Sequence, residues 1–96
     1  METSLEALKE RAKPVLESFR IARAGFYGSR ARGDSAPDSD LDVVVERPSG
    51  FSLYDLIGLE TALTEVLGVH AHVTTYGSLH PGMKEQILAD EVRVVG

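Results

Sequence analysis

Asp40 and Asp42 are carboxylates one residue apart, at the head of a Val43-Val44-Val45 run. Alternate residues of a strand share a face, so the two aspartates are expected side by side while Leu41, Val43 and Val45 turn to the core. Two carboxylates so placed repel each other unless a cation lies between them. An all-oxygen donor pair suits Mg²⁺, which is commonly shared between carboxylates and substrate phosphates. Taken alone, an Asp-X-Asp reads as two solvated side chains at a strand start. Aspartate is depleted in strands, however, and two of them beside three valines ask for a reason. Gly28-Ser29 offers the complement. A glycine at a strand exit lets a phosphate approach the backbone, and a serine opening a short helix presents a hydroxyl and the positive end of a helix dipole. By itself Gly-Ser is a turn. Arg30 and Arg32 follow, each either a solvated loop arginine or a charge set against phosphate.

The elements that must position these residues are legible in outline. Thr3-Ser4-Leu5-Glu6 has the pattern of a capping box, and Leu5, Leu8, Ala12, Val15, Leu16 and Phe19 follow on one helical stripe. Pro14 should kink that helix or split it near Lys13. Residues 21–27 read as a first strand, in which Gly25 marks a close approach or a bend. Residues 34–39 are dense in turn formers and read as a loop. Residues 40–46 read as a second strand. Ser52 and Asp55 signal another helix start, Leu53, Leu56, Ile57, Leu63 and Leu67 form an apolar face, and Gly68 is placed as the stop. Residues 69–75 form a third strand. Pro81 can open a last helix carrying Met83, Ile87 and Leu88, with a terminal strand at 92–95. The order implies an α/β (α+β) chain with a small mixed β-sheet flanked by helices.

The bulk properties narrow the classes. The 96 residues make one domain, 1–96, near the lower end of what folds alone. A net charge of −5 argues against nucleic acid as a direct ligand held by bulk positive potential. It leaves room for a local basic patch from Arg20, Arg23, Arg30 and Arg32. With no cysteine, disulfides, thiolate catalysis and cysteine-based zinc sites are excluded. The N-terminus is charged and amphipathic, unlike a signal peptide, and no apolar run has membrane-spanning length. A cytoplasmic protein is expected.

Gly28-Ser29, ten residues, then Asp40-X-Asp42 is far more specific than either half. Four fixed positions match by chance in roughly one chain in a thousand of this length. The pattern resembles the DNA polymerase beta superfamily of nucleotidyltransferases. Residues 27–33 (Tyr-Gly-Ser-Arg-Ala-Arg-Gly) and 39–42 (Ser-Asp-Leu-Asp) resemble its minimal nucleotidyltransferase (MNT) family, as do Gly77-Ser78-Leu79-His80-Pro81 and Glu85-Gln86-Ile87-Leu88. The resemblance covers nearly the whole chain. It implies a polymerase-beta-type fold and transfer of a nucleoside monophosphate, with ATP as the expected substrate, releasing pyrophosphate. It further implies that Ser29 holds triphosphate oxygens and that Asp40 and Asp42 hold Mg²⁺ in a two-ion site. Gly28, Arg30 and Arg32 complete the nucleotide-binding set. Members of the family are typically paired with a small helical HEPN protein, as in a toxin–antitoxin module. In some pairs AMP is attached to a tyrosine of that partner.

The superfamily has a third carboxylate on the strand after the long helix. Here residues 69–75 contain no acid, and the corresponding position is His72. An imidazole there can act as a general base, bind a metal other than Mg²⁺, or merely fill space. His70 and His80 read as surface residues. Two functions therefore stand open: an antitoxin-like adenylyltransferase acting on a HEPN partner, with Asp40, Asp42 and His72 catalytic, or a weak or inactive homologue that neutralises the partner by binding alone. The chain is too short for the domain with which other superfamily members grip an acceptor, so the acceptor is expected from another protein. An exposed apolar helix face would suit a homodimer or hetero-oligomer.

Overall fold

The computed structural model describes residues 4–34 and 39–96. The expected capping residue Thr3 and most of the expected 34–39 loop lie outside them. Helix α1 (Leu5–Ser18) opens at Ser4, whose side chain accepts from the Ala7 N–H. It runs unbroken through Pro14, so the expected split at Lys13 does not occur. Its stripe is buried over three successive turns, with Leu8, Ala12 and Leu16 at 1% exposure or less, and this packing outweighs the hydrogen bond that proline removes. The helix ends in a Schellman arrangement. Ile21 N–H donates to Leu16 and Arg20 N–H to Glu17, with Arg20 at φ +61° where glycine is usual.

The chain then follows β1 (Ala24–Tyr27), α2 (Gly28–Arg32), β2 (Leu41–Val45), α3 (Leu53–Leu67), β3 (Ala71–Thr75), a 3₁₀ turn at Tyr76–Ser78, α4 (Pro81–Asp90) and β4 (Val92–Val95). The strands form one mixed sheet, ordered β3-β2-β1-β4. β1 runs antiparallel to both its neighbours, whereas β2 and β3, joined through α3, are parallel. The first three strands are shorter than the sequence suggests, the terminal strand has the expected bounds, and Asp40 falls just ahead of β2.

Helices α1 and α3 cover one face, where Ala24, Phe26, Leu41, Val43, Val45, Ala71 and Val73 join the helix stripes in one core. Val44 and Ile87 are buried outside that cluster, on the face toward α4. In α3 the buried line is Leu59, Leu63 and Leu67, spaced four apart. Leu53 and Ile57, expected on the apolar face, are 70% and 55% exposed because they turn away from that line. In α4 only Ile87 is buried, and Met83 and Leu88 face solvent. The ends of α3 match expectation. Ser52 and Asp55 form the reciprocal capping box, and Gly68 closes the helix at φ +74°. Strand β3 lies at the sheet edge, where its outward N–H groups would go unpaired. Thr64 and Glu60 of α3 reach over to accept from the Ala71 and Val73 N–H groups, both at 3.0 Å. Those bonds tie the edge strand to α3.

Candidate active site

The residues singled out by chemistry gather at one end of the sheet, where β1 exits and β2 and β3 begin. Antiparallel pairing sets Tyr27 opposite Asp42, and parallel pairing sets His72 on Asp42's other side. Alternation holds as expected: Leu41, Val43 and Val45 are fully buried, while Asp40 is exposed and Asp42 half-buried. Gly28 follows Tyr27 at φ +78°. A Cβ at this glycine would stand 2.5 Å from Asp42 Oδ2. The two halves of the motif therefore touch, and the position requires glycine for backbone conformation and for space alike.

Burial pushes the Asp42 carboxyl above its ordinary range. His72 opposes that shift, the neighbouring Asp40 carboxylate reinforces it, and Arg32 opposes it. Tyr27 is also raised, chiefly by burial and then by Asp42. A half-buried carboxylate beside a second one, packed against the bare backbone of a glycine, is a donor set that a divalent cation would relieve. Among the described residues no three of His, Asp and Glu converge into a ready-made cage. Substrate oxygens and water would have to complete any coordination shell.

Helix α2 begins at Gly28 without a side-chain cap from Tyr27. It has only five residues, so its dipole is small, and a phosphate here would be met by first-turn backbone N–H groups and the Ser29 hydroxyl rather than by a long helix. Arg30 Nε donates to the Ser39 carbonyl at 2.7 Å, which draws the start of β2 toward α2. Arg32 donates to Asp34 at 3.2 Å and to Asp90 of α4 at 2.9 Å. Both arginines thus have structural work in addition to any contact with phosphate, and Arg32 ties the Gly-Ser turn to the end of α4.

His80 caps α4, its Nδ1 accepting from the Gly82 N–H at 3.2 Å. His70 is 53% exposed in its side chain, as a surface residue would be, yet its Nδ1 lies 3.5 Å from Asp40 Oδ2. His72 Nδ1 lies 3.9 Å from Asp42 Oδ1. The pairing of His70 with Asp40 was missed in the sequence. The signal is present in the matching spacing of Asp40-X-Asp42 and His70-X-His72, but it can be read only once the strands are known to be parallel and in this register.

A Gly-Ser turn set against an Asp-X-Asp pair at the end of a small mixed sheet defines a nucleotidyltransferase-type site. The chain matches the nucleotidyltransferase domain family over residues 1–95, and it belongs to that family. It is 39% identical over 92 residues to a proposed protein adenylyltransferase of Methanocaldococcus jannaschii, spanning 96% of this chain and 99% of the relative. It is 33% identical over 82 residues to the protein adenylyltransferase MntA of Thermococcus cleftensis, spanning 85% and 83%. Its structure is similar to that of a proposed minimal nucleotidyltransferase (TM-score 0.79, 34% identity, covering 96% of this chain and 95% of the other). The same fold recurs at 16% identity in a toxin–antitoxin complex with AMP-PNP (TM-score 0.80, covering 92% and 73%). No helix among the described residues is long and apolar enough to cross a membrane.

Proposed function

We propose that this chain transfers a nucleoside monophosphate, AMP from Mg²⁺–ATP, to a protein hydroxyl, and that it acts as the antitoxin-like member of a pair with a small helical HEPN protein. The observation that carries the reading is the contact between the two motif halves. Asp42 Oδ2 packs into the place a Cβ at Gly28 would need, so phosphate oxygens held by the turn would meet the carboxylates proposed to hold cations. Ser29 and the α2 backbone would bind the triphosphate, and Asp40 and Asp42 would hold the divalent ions. Those ions supply charge neutralisation on the phosphates and activation of the attacking oxygen. The acceptor oxygen forms a bond to the α-phosphorus, the bond to the bridging oxygen of the leaving phosphates breaks, and pyrophosphate departs as the hydroxyl proton is lost to solvent.

The protein acceptor is supported by the names of the relatives in M. jannaschii and T. cleftensis. The toxin partner is suggested by the family resemblance and by the complex in which the related fold was crystallised. Leu53, Tyr54 and Ile57 on the outer side of α3 offer an apolar surface that a protein partner would cover. A cytoplasmic location goes with this role.

Incubation with ATP labelled in the α-phosphate, with and without the partner, tests the reading. Label should enter protein in step with pyrophosphate release, and Asp40→Ala/Asp42→Ala should abolish both. Label transfer unaffected by that double substitution would defeat the assignment. One observation favours a second reading, neutralisation by binding alone: His72 occupies the place where a third carboxylate would serve. On that reading a stable complex forms without label transfer, and His72→Asp restores transfer if only the carboxylate is missing.

A further inference from the structure

Strands β2 and β3 open with the same spacing of polar residues, Asp40-X-Asp42 and His70-X-His72. Because the two strands are parallel and Asp42 is in register with His72, each carboxylate gains an imidazole beside it. The Leu41 N–H donates to the His70 carbonyl at 2.9 Å, which fixes the register at this end. The separations are 3.5 Å for His70 Nδ1 to Asp40 Oδ2 and 3.9 Å for His72 Nδ1 to Asp42 Oδ1. Two ligand atoms each about 2.1 Å from one ion stand about 3.0 Å apart at the right angle of an octahedral site and about 3.4 Å apart at the tetrahedral angle. The His70–Asp40 pair is close to that span, and the more distant His72–Asp42 pair would draw together to reach it. Both are also solvent-accessible, with His70 and His72 side chains 53% and 62% exposed.

Mg²⁺ takes oxygen ligands and resists replacing them with nitrogen. Imidazole suits the later first-row ions, and carboxylate and phosphate oxygens suit Mn²⁺. We propose that His70 and His72 convert the divalent-ion site at Asp40 and Asp42 into a mixed nitrogen–oxygen site that selects a first-row transition ion, Mn²⁺ among them, over Mg²⁺. The proposal rests on the reading of Asp40 and Asp42 as cation ligands. With two protein ligands in each pair, positions remain for triphosphate oxygens and water. The His72 imidazole then serves as a ligand rather than as a proton acceptor.

The test is Mn²⁺ binding to the protein without nucleotide, followed by electron paramagnetic resonance, with Mg²⁺ as competitor. Wild-type protein should bind Mn²⁺, show the nitrogen modulation of a coordinated imidazole in pulsed spectra, and release the ion only to a large excess of Mg²⁺. His70→Asn/His72→Asp should lose the nitrogen modulation and cut the Mn²⁺-over-Mg²⁺ preference by roughly tenfold or more. His80→Asn, which keeps a capping side chain on α4, should change neither. Thermal midpoints show that each variant is folded. Mn²⁺ bound and lost in Asp40→Ala/Asp42→Ala, but with no nitrogen modulation and an unchanged preference in the histidine variant, overturns the histidine proposal alone. Mn²⁺ binding that is absent, or that survives the aspartate double substitution, overturns the cation reading and this proposal with it.

Discussion

Replacing Gly28 with alanine separates what its backbone needs from what its side chain would displace. At φ +78° an alanine costs about 1–2 kcal/mol relative to glycine. In a domain of this size that lowers Tm by about 4–16 °C. Gly33, at φ +82° with nothing within 4 Å of a built Cβ, carries the backbone cost alone and is the matched control. The alanine at position 28 would also meet Asp42 Oδ2 at 2.5 Å, where real Cβ contacts stay above 3.0 Å. The carboxylate must therefore move by at least about half an ångström, beyond the ~0.2 Å tolerance of a metal–ligand distance. A carboxylate can swing cheaply, so the added loss should appear in binding rather than in stability. Gly28→Ala and Gly33→Ala should melt within a few degrees of each other. The former should bind the divalent ion and ATP at least about tenfold more weakly, a difference of ~1.4 kcal/mol. Isothermal titration with metal–ATP and thermal denaturation by circular dichroism measure the two quantities. Equal affinities in the two variants would show that the contact between the motif halves does not hold Asp42 in place.

Arg20 occupies a left-handed position that normally calls for glycine. Arg20→Gly should raise stability by roughly 0.5–1 kcal/mol, about 2–8 °C in Tm. Arg32 and Asp90 should be energetically coupled across their 2.9 Å contact. A double-mutant cycle of Arg32→Ala and Asp90→Ala should give only a small coupling in stability, because the Arg32 side chain lies in solvent. The nucleotide KM should rise in both single variants if the tie to α4 positions the Gly-Ser turn. Tyr76 is pushed up to about 12 by burial and by donating to Glu91 at 2.9 Å. A tyrosine that ionises more readily unfolded than folded lends stability that is intact below pH 10 and lost as pH rises through about 12. Alkaline absorbance titration should show a tyrosine ionising near pH 12, moved to lower pH by Glu91→Gln.

Where the sequence was read correctly, the signals were local. The Ser52 and Asp55 box, the Gly68 stop and the alternation of Leu41, Asp42 and Val43 each depend on a few adjacent residues, and each stands as expected. Gly25 was marked as a close approach, and Glu91 fills the space a Cβ would need. Misreadings came from interactions that local pattern does not encode. Pro14 is carried through α1 because the stripe around it is buried over several turns. Leu53 and Ile57 fit a helical period, yet which arc of α3 meets the sheet is decided by the whole length of the helix. The set Gly28, Ser29, Asp40, Asp42 was legible as a motif, and His72 as its irregular member. The Asp40–His70 pairing was not, because residues thirty apart meet only through the parallel register of β2 and β3. Nor could sequence show that Arg30 and Arg32 already bond within the protein.

The most direct test of the transfer assignment is the intact mass of a candidate HEPN partner after co-expression with this chain. The account predicts a partner heavier by one or more adenylyl groups, and an unmodified partner when Asp40→Ala/Asp42→Ala replaces the native chain. A stable complex whose partner keeps its unmodified mass with the native chain would contradict it and leave docking as the mode of action.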